Sequence, residues 1–131
     1  MFNQRTGGQN DTPFTTVTLQ VLNGCGVNGA SEKMSRALLP GDGDLVYDII
    51  ERDNAELTAF EETLIVDRRG SGNGEVSEQA RKIAERLDID DDDIVLQKFD
   101  DNILEIDVTI IVGVDYQQYI DKLNNEREAL L

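Results

Sequence analysis

The stretch Thr15-Thr16-Val17-Thr18-Leu19-Gln20-Val21-Leu22 alternates and is rich in β-branched residues, and it runs straight into Asn23-Gly24-Cys25-Gly26-Val27-Asn28-Gly29. The first half reads as a strand and the second as glycine and asparagine punctuation. Ala30, Met34, Ala37 and Leu38 follow at helical spacing, and Pro40-Gly41 stops that helix. Residues 44–51 then read as a second strand and residues 62–67 as a third, with a short mixed stretch at 55–61 between them. That succession decides the fold class. A strand followed by another strand, rather than by a crossover helix, excludes the all-parallel mononucleotide-binding arrangement.

Further along, residues 68–74 form a second glycine-rich loop, and Val76, Ala80, Ile83, Ala84 and Leu87 mark the clearest amphipathic helix of the chain. Residues 93–98 are expected as a fourth strand, Asp101-Asn102 as a turn and residues 104–112 as a fifth strand. Tyr116, Tyr119, Ile120, Leu123 and Leu130 predict a terminal helix over about 116–129. The order is β-α-β-β-α-β-β-α. It predicts an α+β domain of two layers, a mixed β-sheet with helices mainly on one face, related to the split β-α-β (ferredoxin-like) arrangement. An offset of 46 residues maps Gly24, Gly26, Ser31 and Glu32 onto Gly70, Gly72, Ser77 and Glu78, consistent with two β-α-β halves. In the split β-α-β topology the first and third strands are parallel neighbours, so both glycine-rich loops are expected at one edge of the sheet. Residues 1–14 read as a flexible tail or an added segment, and residues 15–131 as a single domain.

Composition removes whole classes of function. The 131 residues carry a formal charge of −15, which repels nucleic acid phosphates and anionic lipid heads. There is no His, so imidazole general-base chemistry, a Ser-His triad and His-containing zinc sites are absent. Cys25 is the lone cysteine, with no disulfide and no thiolate cage to build. No apolar run is long enough to cross a bilayer and no signal peptide is legible, so any membrane attachment needs an anchor that this chain does not carry. No metal and no cofactor is expected. The acidic run at residues 88–93 fails the EF-hand pattern, because Asp93 and Phe99 stand where Gly and Glu are required.

Gly24-Cys25-Gly26-Val27-Asn28-Gly29 does fit G-x-G-x-x-G, with Glu51 or Asp53 as a downstream acid, so a nucleotide-binding domain is one alternative. Its fold context is missing. Read more broadly, two helix starts side by side, with Arg68 and Arg69 at their mouth, make a site for an anion or a glycan. Asn23, Asn28 and Asn73 add side-chain amides suited to sugar hydroxyls. The candidate ligand residues are therefore Asn23, Gly24, Gly26, Asn28, Gly29, Arg68, Arg69 and Asn73, with the chain near Asp115 closing the same edge. The competing reading is structural: Asn28 and Asn73 cap their helices, and the arginines pair with nearby carboxylates. Cys25 reads as a spectator thiol, and Tyr116 and Tyr119 as core.

Two stretches carry a family resemblance. Val21-Leu22-Asn23-Gly24-Cys25-Gly26-Val27-Asn28-Gly29-Ala30 resembles the VLNGTGVxGLA opening of the LytR C-terminal domain family. Ile106-Asp107-Val108-Thr109-Ile110-Ile111-Val112-Gly113-Val114-Asp115-Tyr116 is similar to its closing DVTVVLGxDY. The resemblance covers about residues 17–116, with Cys25 in place of the usual small hydroxyl residue and Ser31 where a Leu-Ala pair is commoner. It implies an extracytoplasmic, cell-envelope-associated module of the kind found behind LytR-CpsA-Psr catalytic domains or on a membrane anchor. The phosphotransferase activity of those catalytic domains does not carry over. The expected function is non-catalytic binding of a wall glycan, an anionic wall polymer or an envelope protein. A homodimer formed through a strand edge is the main alternative.

Overall fold

The computed structural model describes residues 15–39, 41, 45–55 and 58–129. The expectations for residues 1–14, Pro40 and Leu130 lie outside them. The elements are β1 (Thr15–Asn23), α1 (Ala30–Leu38), β2 (Leu45–Asn54), β3 (Leu64–Asp67), α2 (Glu78–Leu87), β4 (Val95–Leu96), β5 (Val108–Val112) and α3 (Tyr116–Ala129). The order is the expected β-α-β-β-α-β-β-α, and the fold is α+β with a mixed sheet.

Period-two alternation divides the sheet into two faces. Val17, Leu19 and Val21 of β1, Ile65 of β3 and Val108, Ile110 and Val112 of β5 are buried in one core. Met34 and Leu38 of α1, Ile83 and Leu87 of α2, and Ile120 and Leu123 of α3 close over the same side. Tyr116 and Tyr119 pack half-buried against that core, as their spacing predicts. Among the described residues no helix lies over the opposite face, which carries Thr18, Gln20 and Leu22 of β1 and Thr109 and Ile111 of β5. Arg86 ties the helical layer together: its Nη1 donates to Leu38 O and to the Tyr47 hydroxyl, each at 3.0 Å, and its Nε lies 3.3 Å from Glu126.

The strand order is β2-β1-β5-β3-β4. Here the structure corrects the sequence reading. β1 and β3 are not neighbours, because β5 lies between them, parallel to β1 and antiparallel to β3. The two glycine-rich loops therefore open at opposite ends of the sheet. Asn23 pairs with Val112 and Asp67 with Val108, which places the loops about 13 Å apart along β5.

Several boundaries also shift. β2 runs on to Asn54, past a bulge at Ile50 between the Leu19–Ile49 and Gln20–Glu51 pairs. β3 starts at Leu64. The expected fourth strand shrinks to Val95–Leu96, because Asp91–Asp93 forms a 3-10 turn capped by the Asp90 side chain. The fifth begins only at Val108, because Asn102 diverts the chain before it. The Asn102 amide donates to Ile106 O and accepts from Ile106 N, closing a tight turn in which Glu105 takes a positive φ of 54°. A local side-chain clamp thus outcompetes β-propensity.

Candidate functional site

Asn23 is buried at the end of β1 and organises the first loop. Its Oδ1 accepts from the Cys25 and Gly26 amides at 3.1 Å each and from Cys25 Sγ at 3.4 Å, while Nδ2 donates to Val27 O at 2.7 Å. Every polar atom of this amide is thus spent inside the loop. Gly24 is required by proximity: a Cβ there would stand 2.6 Å from Ile111 Cγ2 and 2.7 Å from Phe60 Cδ2. The residue before α1 is Gly29, at φ 83°, with no side-chain cap, so Asn28 is not the cap it was expected to be. Asn28 and Gly29 instead line a shallow polar hollow with Asn23, Ser31, Glu32, Arg52, Asp53 and Asn54. Glu32 and Asp53 bring two carboxylates to this hollow, which disfavours an anionic pyrophosphate there. Glu51 turns away from that hollow and accepts from Gln20 Nε2 on the helix-free face.

The second loop is built by Asp67, which is fully buried. Its Oδ1 accepts from the Arg69 and Gly70 amides, each at 3.0 Å, and from Ser77 Oγ at 3.0 Å; its Oδ2 accepts from Ser77 N at 2.6 Å. Ser77 is the cap of α2, accepting from Ala80 N, so the capping expected of Asn73 falls to it. Asn73 accepts from Ser71 Oγ and from Glu75 N within the loop. Arg69 is neutralised: its Nε lies 2.9 Å from Asp107 Oδ1 and its Nη2 donates to Glu105 O at 3.0 Å.

The eight expected ligand residues thus fall into two groups. Asn23, Gly24, Gly26, Asn28 and Gly29 lie at one end of the sheet, near Asp115, and Arg68, Arg69 and Asn73 at the other. Asp115 serves the fold as well, accepting from Thr63 N and Thr63 Oγ1 at 2.8 Å each.

Arg68 alone leaves the loop ends and lies over the helix-free face. Its Nε donates to Thr109 Oγ1 at 3.0 Å, its Nη1 to Gln97 O at 3.0 Å, and its guanidinium carbon sits 4.0 Å from the centre of the Phe99 ring. Burial pushes this guanidinium below its ordinary value, and it remains a cation. The Thr109 hydroxyl donates to Gln20 Oε1 at 2.8 Å and Gln20 Nε2 donates to Glu51, so a polar chain runs from the end of β3 across β5 and β1 to β2. Beside it lies a groove of about 720 Å³ whose lining brings Leu22, Ile111, Phe60 and Phe99 together with Arg68, Gln97, Lys98 and Asp100.

Sequence reasoning missed Phe60, Phe99, Gln97, Gln20 and Thr109. The signal for the last two was present: both are polar residues at positions that strand alternation turns away from the core. Phe60 and Phe99 sit in irregular chain, where no periodicity marks a face.

Among the described residues no helix is long and apolar enough to cross a membrane, and no group of acidic or cysteine residues is placed to hold a metal ion. Neither curated proteins nor solved structures give a match to this chain. The model of one family, the LytR cell envelope-related transcriptional attenuator, matches residues 16–116, which takes in the first two helices and, but for Thr15, the described strands. The matched stretch runs from the strand that ends at Asn23 to the turn at Gly113 and Asp115, and the chain belongs to that cell-envelope-related family.

Proposed function

We propose that this chain is a non-catalytic binding module of the extracytoplasmic cell envelope, taking a wall polymer on the helix-free face of its sheet. The observation that carries this reading is the groove whose lining joins apolar Leu22, Ile111, Phe60 and Phe99 to the Arg68 cation. Ligand sites combine such apolar walls with a few fixed polar groups. Of the residues expected from the sequence, Arg68 is the one retained for contact. Asn23, Gly24, Gly26, Asn28 and Gly29 build the frame at the far end, and Arg69 and Asn73 hold the loop that carries Arg68. The family's relation to the cell envelope supports the compartment.

The test is co-sedimentation with purified peptidoglycan sacculi, with and without their attached anionic polymers. The chain is expected in the pellet with the polymer-bearing form. Recovery in the supernatant with both forms would sink the reading.

A second reading, an envelope protein as partner, is favoured by Ile103 and Leu104. They are 79% and 55% exposed at the tip of the turn clamped by Asn102. Asp100, Asp101 and Glu105 surround them, so the partner would present an apolar residue flanked by basic ones. Ile103→Ser with Leu104→Ser should then abolish capture of that partner while sacculus binding persists. The strand edges favour self-association less: β2 is bulged at Ile50 and β4 offers two residues.

A further inference from the structure

The arginines of this acidic protein are not treated alike. Arg36 pairs with Glu32, Arg69 with Asp107, Arg81 with Asp91 and Arg86 with Glu126. Arg52 is exposed and has no carboxylate partner among the described residues, and Arg68 is the half-buried arginine without one. Its guanidinium is held by the Thr109 hydroxyl, the Gln97 backbone carbonyl and side-chain amide oxygen, and an aromatic ring, all neutral. A cation withdrawn from water without a counter-ion costs stability, and its neutral partners fix its direction without cancelling its charge. With Nε on Thr109 and Nη1 on Gln97, the Nη2 side of the fork has no partner among the described residues and is left for a ligand. Lys98 on the rim offsets Asp100 beside it, so the net charge at the groove is that of Arg68.

We propose that Arg68 is the recognition residue for one oxyanion, a carboxylate or a phosphate, carried on a sugar ring whose apolar face packs in the groove that Phe60 and Phe99 help to line. This rests on the wall-polymer reading above and names the group that is read. A planar guanidinium already fixed by two hydrogen bonds and a ring loses little freedom on meeting an oxyanion, and its charge-assisted bonds are among the strong ones. The aromatic walls accept the C–H faces of a ring and exclude water from the ion pair.

The experiment is a titration of the isotope-labelled chain, followed by NMR at the Arg68 Nε–H and at the Gln97 and Thr109 amides. The probes are glucuronate, glucose 6-phosphate and glucose, which share a ring and differ in the charged group. Shifts at those positions with either acid and not with glucose are expected, and the acid that acts tells a carboxylate source from a phosphate one. Arg68→Met should weaken that binding by about ten- to a hundredfold. Absence of shifts at Arg68 with both acids, or equal shifts with glucose, overturns the proposal, and the wild-type titration needs no variant to fold. Sacculus binding separates the two levels. Pelleting unchanged in Arg68→Met removes Arg68 and leaves the module, whereas an acid that titrates Arg68 in a chain that never pellets leaves the site and removes the module.

Discussion

Asn23 and Asp67 do the same job at the ends of two strands that run in opposite directions. Each is the last residue of its strand, and each turns one side-chain oxygen onto the backbone amides two and three residues on: 3.1 Å to Cys25 and Gly26, 3.0 Å to Arg69 and Gly70. Gly26 and Gly70 then both take the left-handed conformation, at φ 76° and 72°. The internal repeat is therefore real in the structure, with Gly70 answering to Gly26 rather than to Gly24. The second loop is longer, so one fixed offset cannot align both strand ends and helices.

The difference between the two residues is chemical. Asn23 needs a donor for Val27 O, whereas Asp67 needs a second acceptor for Ser77 N. Asp67→Asn should therefore set an amide donor against the Ser77 amide, at a cost of about 1–3 kcal/mol in urea denaturation. Asn23→Asp should cost a similar amount by leaving Val27 O without its donor. A denaturation midpoint unchanged in both would show that these contacts do not hold the loops.

Gly113 and Gly29 make a contrasting pair. A Cβ on Gly113 would stand 2.3 Å from the Glu62 carbonyl carbon and 2.6 Å from Thr63 N, and neither backbone atom can yield alone. Gly113→Ala is expected to cost at least about 3 kcal/mol. At Gly29 nothing lies within 4 Å of an added Cβ, and only the φ of 83° resists it. Gly29→Ala should cost about 1 kcal/mol, with Gly29→Asn milder. Thermal unfolding of the three variants ranks them.

Arg86 joins α2 to the end of α1, to β2 and to α3. Arg86→Met keeps much of the side-chain volume and loses those bonds, for an expected cost of about 3 kcal/mol. Hydrogen exchange should quicken first in α3, since Glu126 is its tie to α2. Uniform acceleration across the sheet would contradict this.

Burial raises the ionisation point of the Tyr119 phenol above its ordinary value, opposed by a hydrogen bond with Gln118 and reinforced by the Asp115 and Glu62 carboxylates. The neutral phenol is therefore favoured in the folded chain. Its contribution is complete below the unfolded value, about pH 10, and is lost as the pH rises through the folded one. Urea midpoints measured from neutral to strongly alkaline pH should fall less for Tyr119→Phe than for the wild type. Parallel curves would mean that the phenol ionises alike in both states.

What the sequence by itself determined was local. The alternation of residues 15–22 placed Val17, Leu19 and Val21 on one face, and the spacing of Ala80, Ile83, Ala84 and Leu87 placed a helix over it. The order of the elements followed from such patterns, because periodicity depends only on the chain's own geometry. The neighbour of each strand, and its direction, came from the tertiary structure alone. An alternating strand buries the same residues whichever strand lies beside it, so nothing within Val108–Val112 announces that it inserts between β1 and β3 and separates the two loops. The same holds for Arg68: its sequence neighbours suggest the mouth of a loop, and only the pairing of β3 with β5 on one side and with β4 on the other brings Thr109, Gln97 and Phe99 around it.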